Sequence, residues 1–134
     1  MRTYRENELE VIKESREYLK EYHEETDEPI DKMMAFIDYQ EGLYYKQQED
    51  YEKAYEIVKE VEEKRVRGDF EGELPVGWGG SDRTRKTLMC HLGMIEERRE
   101  EIFETFRKHG GDDPSEWPEQ IRETYENPCA GWLE

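Results

Sequence analysis

Cysteine is nearly absent from this chain: Cys90 and Cys129 are the only two among 134 residues. Two cysteines cannot build the dense disulfide framework of a small secreted domain, and the opening MRTYRENELE lacks the apolar core of a secretory signal. The expectation is an intracellular, cytoplasmic setting with both thiols free. Apolar residues are also scarce, at 34 %, and no apolar run approaches the ~20 residues of a membrane span. A soluble chain is expected. Histidine is limited to His23, His91 and His109. Together with Cys90 and Cys129 these residues show no CxxC or HxxxH pairing that would hold zinc, and no Glu-x2-His motif of a di-iron helix bundle occurs. The Gly-x4-Gly-Lys-Ser/Thr phosphate loop is missing too. Abundant carboxylates make any chance Glu pair uninformative, and Cys90 reads as a small buried thiol on a helix face. The expectation is a protein with no metal, no cofactor and no enzymatic activity.

What the chain has in excess is negative charge. Acids number 36 against 20 bases, a net charge of −16. Residues 1–67 carry 20 acids and 12 bases, and residues 68–134 carry 16 and 8, so each half holds −8. The acidity is a property of the whole surface and not of a tail. Such a surface repels nucleic acid and anionic membranes and attracts basic proteins; it is also what any well-solvated helical surface looks like. Low hydrophobicity with high charge is the composition of disordered chains. Nine Tyr, four Phe and three Trp, with apolar residues at helical spacing, point instead to a folded chain. The length fits one domain, residues 1–134.

The periodicity reads as helix throughout, with no convincing strand alternation. Residues 4–24 set Tyr4, Leu9, Ile12, Leu19 and Tyr22 near one stripe, flanked by Val11 and Tyr18. Thr26 or Asp27 is suited to cap a second helix over 30–47, with Pro29 in its first turn. A third helix spans 50–67, with Tyr51, Ala54, Tyr55, Val58 and Val61 in register and Gly68 as its stop. Periodicity alone allows the second and third to be one rod. Residues 68–82 hold five of the ten glycines and divide the chain. A fourth helix follows over about 84–109, ended by Gly110 and Gly111. A short fifth begins with Ser115 as cap and Pro118 in its first turn and runs to about Glu126. Trp132 and Leu133 in the tail either pack or fray.

Residues 34–67, and 42–61 above all, resemble a tetratricopeptide repeat. Gly42 and Tyr45 stand at that family's Gly-x2-Tyr spacing, and Ala54 and Val58 at its Ala-x3-aromatic spacing, with Val in the aromatic slot. KQQEDYEKA follows the family's turn and second-helix start. The family's leading Trp and Leu slots hold Asp38 and Glu41 here, and its closing Pro slot holds Val66. The resemblance implies an antiparallel hairpin turning near Gln48 and Glu49. No second copy is present and one such unit cannot bury its own faces, so the helices on either side must cover it. The expected fold is all-α, about five helices, with the hairpin enclosed by its N- and C-terminal neighbours. The family's first helix lines a concave peptide-binding face, which here would present Phe36, Tyr39, Leu43, Lys46 and Gln47.

Two further candidates come from charge. Residues 6–31 hold eleven acids against three bases, and Glu10, Glu14, Glu17, Glu21 and Glu24 recur at i+3 and i+4 steps along one stripe. GWGGSDRTRK, residues 77–86, leads a glycine-rich backbone into a helix start beside Arg83, Arg85 and Lys86, with Trp78 close by. Helix amides and arginine can hold an anion, although pairing of these bases with neighbouring acids explains them equally. Arg67-Gly68-Asp69 spells an integrin-binding tripeptide and is taken as chance. In size and charge the chain resembles small phage-encoded inhibitors that imitate nucleic acid. That resemblance implies a monomer or small oligomer, acting in the host cytoplasm if viral, that occupies the basic surface of a nucleic-acid-processing enzyme. The alternative is an adaptor that captures a peptide or helix through the Phe36 to Gln47 face.

Overall fold

A computed structural model describes residues 4–70 and 80–132, with no account of the side chains of residues 4–6. Among the described residues there are six α-helices, one 3-10 turn and no strand. The helices are α1 (Tyr4–Thr26), α2 (Asp31–Gln47), α3 (Tyr51–Arg67), α4 (Gly80–His91), α5 (Ile95–Gly110) and α6 (Glu119–Glu126). The chain groups into two compact units, Met1–Arg85 and Lys86–Glu134.

In the first unit α2 packs on α3, and α1 packs on α2. The chain turns at Gln48 and Glu49, and Asp50 accepts a hydrogen bond from the Lys53 backbone N–H to start α3. Ala54, Val58 and Val61 are almost wholly buried on α3. Gly42 is the reason α2 can reach them: a Cβ built there would lie 2.7 Å from Cγ2 of Val58 and 3.3 Å from Cγ2 of Ile57. Among the described side chains of α1, Ile12 and Leu19 are the buried apolar ones. Arg16 fastens that helix to α2, reaching Asp38 at 2.7 Å and Glu41 at 2.5 Å. Burial works against the Arg16 charge, but the two carboxylates outweigh it and its pKa is raised. A short third contact ties α3 to the start of α4: buried Glu62 accepts from the Ser81 hydroxyl at 2.6 Å and from Arg65.

The second unit is organised around Trp117, which is 3 % exposed. Its ring centroid lies 5.4 Å from Tyr125, 5.9 Å from Phe103 and 6.3 Å from Phe106. Its indole N–H donates to the Gly111 carbonyl at 2.8 Å. Arg99 donates to the carbonyls of Tyr125 and Glu126, which satisfies groups that the end of α6 leaves unpaired.

Several expectations are corrected. The predicted helix over 84–109 is two helices broken at Gly93, whose φ of +73° is left-handed. Gly93 N–H bonds to the Cys90 carbonyl and Met94 N–H to that of Met89, the paired bonds of a Schellman stop. Thr26 caps nothing on α2; its hydroxyl donates back to the Tyr22 carbonyl and accepts from Glu28 N–H. Ser115 does not cap α6 either. It sits in the 3-10 turn Pro114–Glu116, where Asp113 accepts from its N–H and its hydroxyl, and these bonds lower the Asp113 pKa. Leu133 and Trp78 lie outside the described residues.

The largest correction concerns the thiols. Cys90 and Cys129 are not free but joined in a disulfide across a sequence separation of 39. Cys90 lies in the last turn of α4, at a position where the turn after α6 brings Cys129 within 5.6 Å, Cα to Cα. The premise for a reducing compartment is thereby removed. No helix among the described residues is long and apolar enough to cross a membrane.

Two measurements test this packing. Gly42→Ala should destabilise the protein by about 1 kcal/mol or more, because overpacking against a buried branched side chain outweighs the helix-propensity gain of Ala. Chemical denaturation reads this directly, and a more stable variant would contradict the close approach. Cys129→Ser should lower stability by roughly 4 kcal/mol, the loop-closure entropy of a ring of that size, and leave Cys90 open to alkylation in the unfolded protein.

Candidate functional site

The exposed surface of α1 divides into two adjoining parts. Glu10, Glu14, Glu17, Glu21 and Glu24 are all exposed, and none forms an ion pair among the described residues. Helix α1 holds them in one line because its other positions are committed elsewhere: Ile12 and Leu19 point into the core and Arg16 bridges to α2. Lys13 and Lys20 stand along one side of the line by helical periodicity. The other side carries apolar residues.

There a groove of about 720 Å³ lies between residues of α1 and α2, continued by a second of about 450 Å³ that shares Val11, Ser15, Phe36 and Ile37 with it. Val11, Tyr18 and Met33 are 57 %, 66 % and 56 % exposed, a high figure for three apolar side chains on one groove. Ser15 is small, which keeps the groove open between Val11 and Leu19. Glu14 lines the α1 wall, Lys32 the α2 wall at the Tyr18 end, and Glu8 the far part. Val11 and Tyr18 flank the apolar α1 stripe in the sequence, and their position beside it, outside the inward-facing set, is the sequence signal for this groove.

The face expected from Phe36, Tyr39, Leu43, Lys46 and Gln47 is not one surface. Phe36 and Gln47 line the groove toward α1. Tyr39 is 4 % exposed and shares a 2.7 Å hydrogen bond with the Thr84 hydroxyl of α4. Burial raises the Tyr39 pKa, against the opposing effect of that bond. Leu43 and Lys46 are half-buried. A residue that ties α2 to α4 cannot also meet a peptide.

The basic cluster after the glycine-rich stretch is engaged within the chain. Arg85 pairs with Asp82 at 2.9 Å, Arg83 and Lys86 also have interaction partners, and Ser81 is taken up by Glu62. Among the described residues, each of these side chains is therefore already engaged, and the reading of local pairing is the better supported one. The disulfide also takes up both cysteine sulfurs of the zinc set weighed from sequence, and no cluster of three or more His, Cys, Asp or Glu able to hold a metal occurs among the described residues. Comparison with known protein families, curated proteins and solved structures gives no match to this chain.

The buried phenol gives a pH test. A raised folded pKa means that its contribution is intact below the ordinary value of 10.0 and is lost as pH rises through the folded value. Stability should therefore fall more steeply above pH 10.0 in the parent than in Tyr39→Phe. At neutral pH the same variant should be weaker by about 1 kcal/mol for the lost hydrogen bond. Equal alkaline slopes in the two proteins would mean that Tyr39 is not buried.

Proposed function

We propose that this protein is an acidic helical interaction protein, without catalytic activity, that occupies the basic surface of a nucleic-acid-binding protein partner. The observation that carries the reading is the α1 stripe: five exposed glutamates with no ion-pair partner among the described residues. Charges three and four residues apart on a helix lie roughly 5–6 Å from each other, comparable to phosphates along a strand, so the stripe offers a basic groove a similar charge rhythm. Attraction of this kind accelerates encounter and is screened by salt.

The adaptor alternative draws less support, since burial of Tyr39 breaks up the face it needed. A tetratricopeptide-like character of the α2–α3 hairpin remains part of the proposal at the level of fold. Its support is the close approach at Gly42 and the full burial of Ala54. Two of the departures from the motif, Asp38 and Glu41, have a use here as the acceptors of Arg16. With the disulfide formed, the proposal concerns the chemistry of the partner, a basic surface, and not its compartment.

Reversing Glu14, Glu17 and Glu21 to Lys together should abolish capture of basic nucleic-acid-binding proteins while leaving the helical circular dichroism unchanged. Bound partners should elute from the parent with rising salt. Retention of the same partners by the triple variant at physiological salt would remove the stripe from the contact.

A further inference from the structure

The groove between α1 and α2 adds a shape requirement to that charge. We infer that it docks a basic amphipathic helix of the partner, apolar face down between α1 and α2 and lysine or arginine side chains over the glutamate stripe. This rests on the proposed function for the sign of the charge, and goes beyond it in naming a secondary structure, a site and an apolar component.

Dimensions come first. The groove follows α1 from Asn7 to Leu19, about 18 Å at the helical rise, which matches roughly three turns of a docked helix. A helix laid there presents side chains at i, i+3, i+4 and i+7 to the surface below it. Val11, Ser15, Tyr18, Met33, Phe36 and Ile37 supply the receiving wall and floor. An apolar surface left open by side chains as exposed as Val11, Tyr18 and Met33 is characteristic of an interaction site.

Charge then selects the occupant. Glu14 follows Val11 by three positions and precedes Tyr18 by four, and Glu21 follows Tyr18 by three. On a helix these are neighbours, so the α1 lip of the groove is acidic along its length, with Glu10 continuing it. A helix seated in the groove therefore meets carboxylates along one flank and gains from lysine or arginine there. Lys32 is at one end of the opposite wall and limits the acidic character to the α1 side. A second copy of this chain is a poor occupant for the same reason. It would bring another α1, with eight acids against four bases over Tyr4–Thr26, against the first.

The probe is a Leu/Lys peptide of roughly 14 residues, enough for the groove length, with Leu at helical spacing. Its controls are a shuffled peptide of the same composition and a Leu/Glu version. Calorimetric titration of the full-length protein should show one site for the amphipathic Leu/Lys peptide, with affinity about tenfold or more above the shuffled one and no binding of Leu/Glu. Val11→Ser, Tyr18→Ser and Met33→Ser combined should lower that affinity about tenfold; the three side chains are exposed, so helix content should persist. Equal affinity of the shuffled peptide, or undiminished binding by the triple serine variant, would overturn the groove while leaving the acidic-surface reading in place. A dimer of the parent that the serine variant dissociates would overturn it in favour of a second copy. Failure of every cationic peptide to bind would remove the groove and the proposed function together.

Discussion

At Gly42 the backbone of α2 comes so near α3 that a methyl group would stand 2.7 Å from Val58, and a chain with 34 % apolar residues depends on contacts of that kind. With few large side chains to spend, burial has to come from bringing backbones close and letting Ala54, Val58 and Val61 be covered almost completely. Helix α2, set in place by this contact, then carries everything else in the first unit. Its Asp38 and Glu41 receive Arg16 and so orient α1, and its Tyr39 reaches Thr84 on α4. The turn of the acidic stripe outward, and the opening of the groove beside it, both follow from the rotation at which α1 is held.

Electrostatics divides along the same line. Four bases near the core of the first unit are paired inside it: Arg16 with α2, Arg65 with Glu62, Arg67 with Asp69, Lys64 with Asp38 and Glu60. The second unit repeats the pattern in Arg98 with Glu101, Arg99 with Glu96 and Arg107 with Glu104. Acids outnumber bases, so the surplus must remain unpaired somewhere, and on α1 it collects in one row. A surplus scattered over all faces would serve solubility alone. A row beside an apolar groove has a direction.

Much of the fold was legible because it rests on local rules. The spacing of Ala54, Val58 and Val61, the stop at Gly68 with φ of +86° and the end at Gly110 and Gly111 each depend on a few neighbouring residues. The break at Gly93 follows the same rule as Gly68, but strong apolar spacing on both sides of it, from Leu88 to Ile102, outweighed one glycine in the reading. What could not be read depends on residues distant in sequence. Glu62 sits four residues after Val58 on the buried stripe, and only Ser81 and Arg65 explain why a carboxylate is tolerated there. The pairing of Cys90 with Cys129 requires the chain to double back through α5 and α6, which no spacing rule announces. Of the candidate sites, the glutamate row was visible from its period. The groove needed α2 as its second wall, and Tyr39 looked available until α4 was in place beside it.

The disulfide has a topological consequence. Cys90 and Cys129 enclose α5, the 3-10 turn and α6 in one covalent ring, and that ring contains nearly all of the second unit. A single peptide-bond cut anywhere between those two cysteines opens the ring without separating its pieces. The nicked chain keeps both fragments at a high effective concentration, so Trp117 and its aromatic neighbours can stay assembled across the cut. A cut within the ring therefore separates the chain into two pieces only under reducing conditions, when the two ends part.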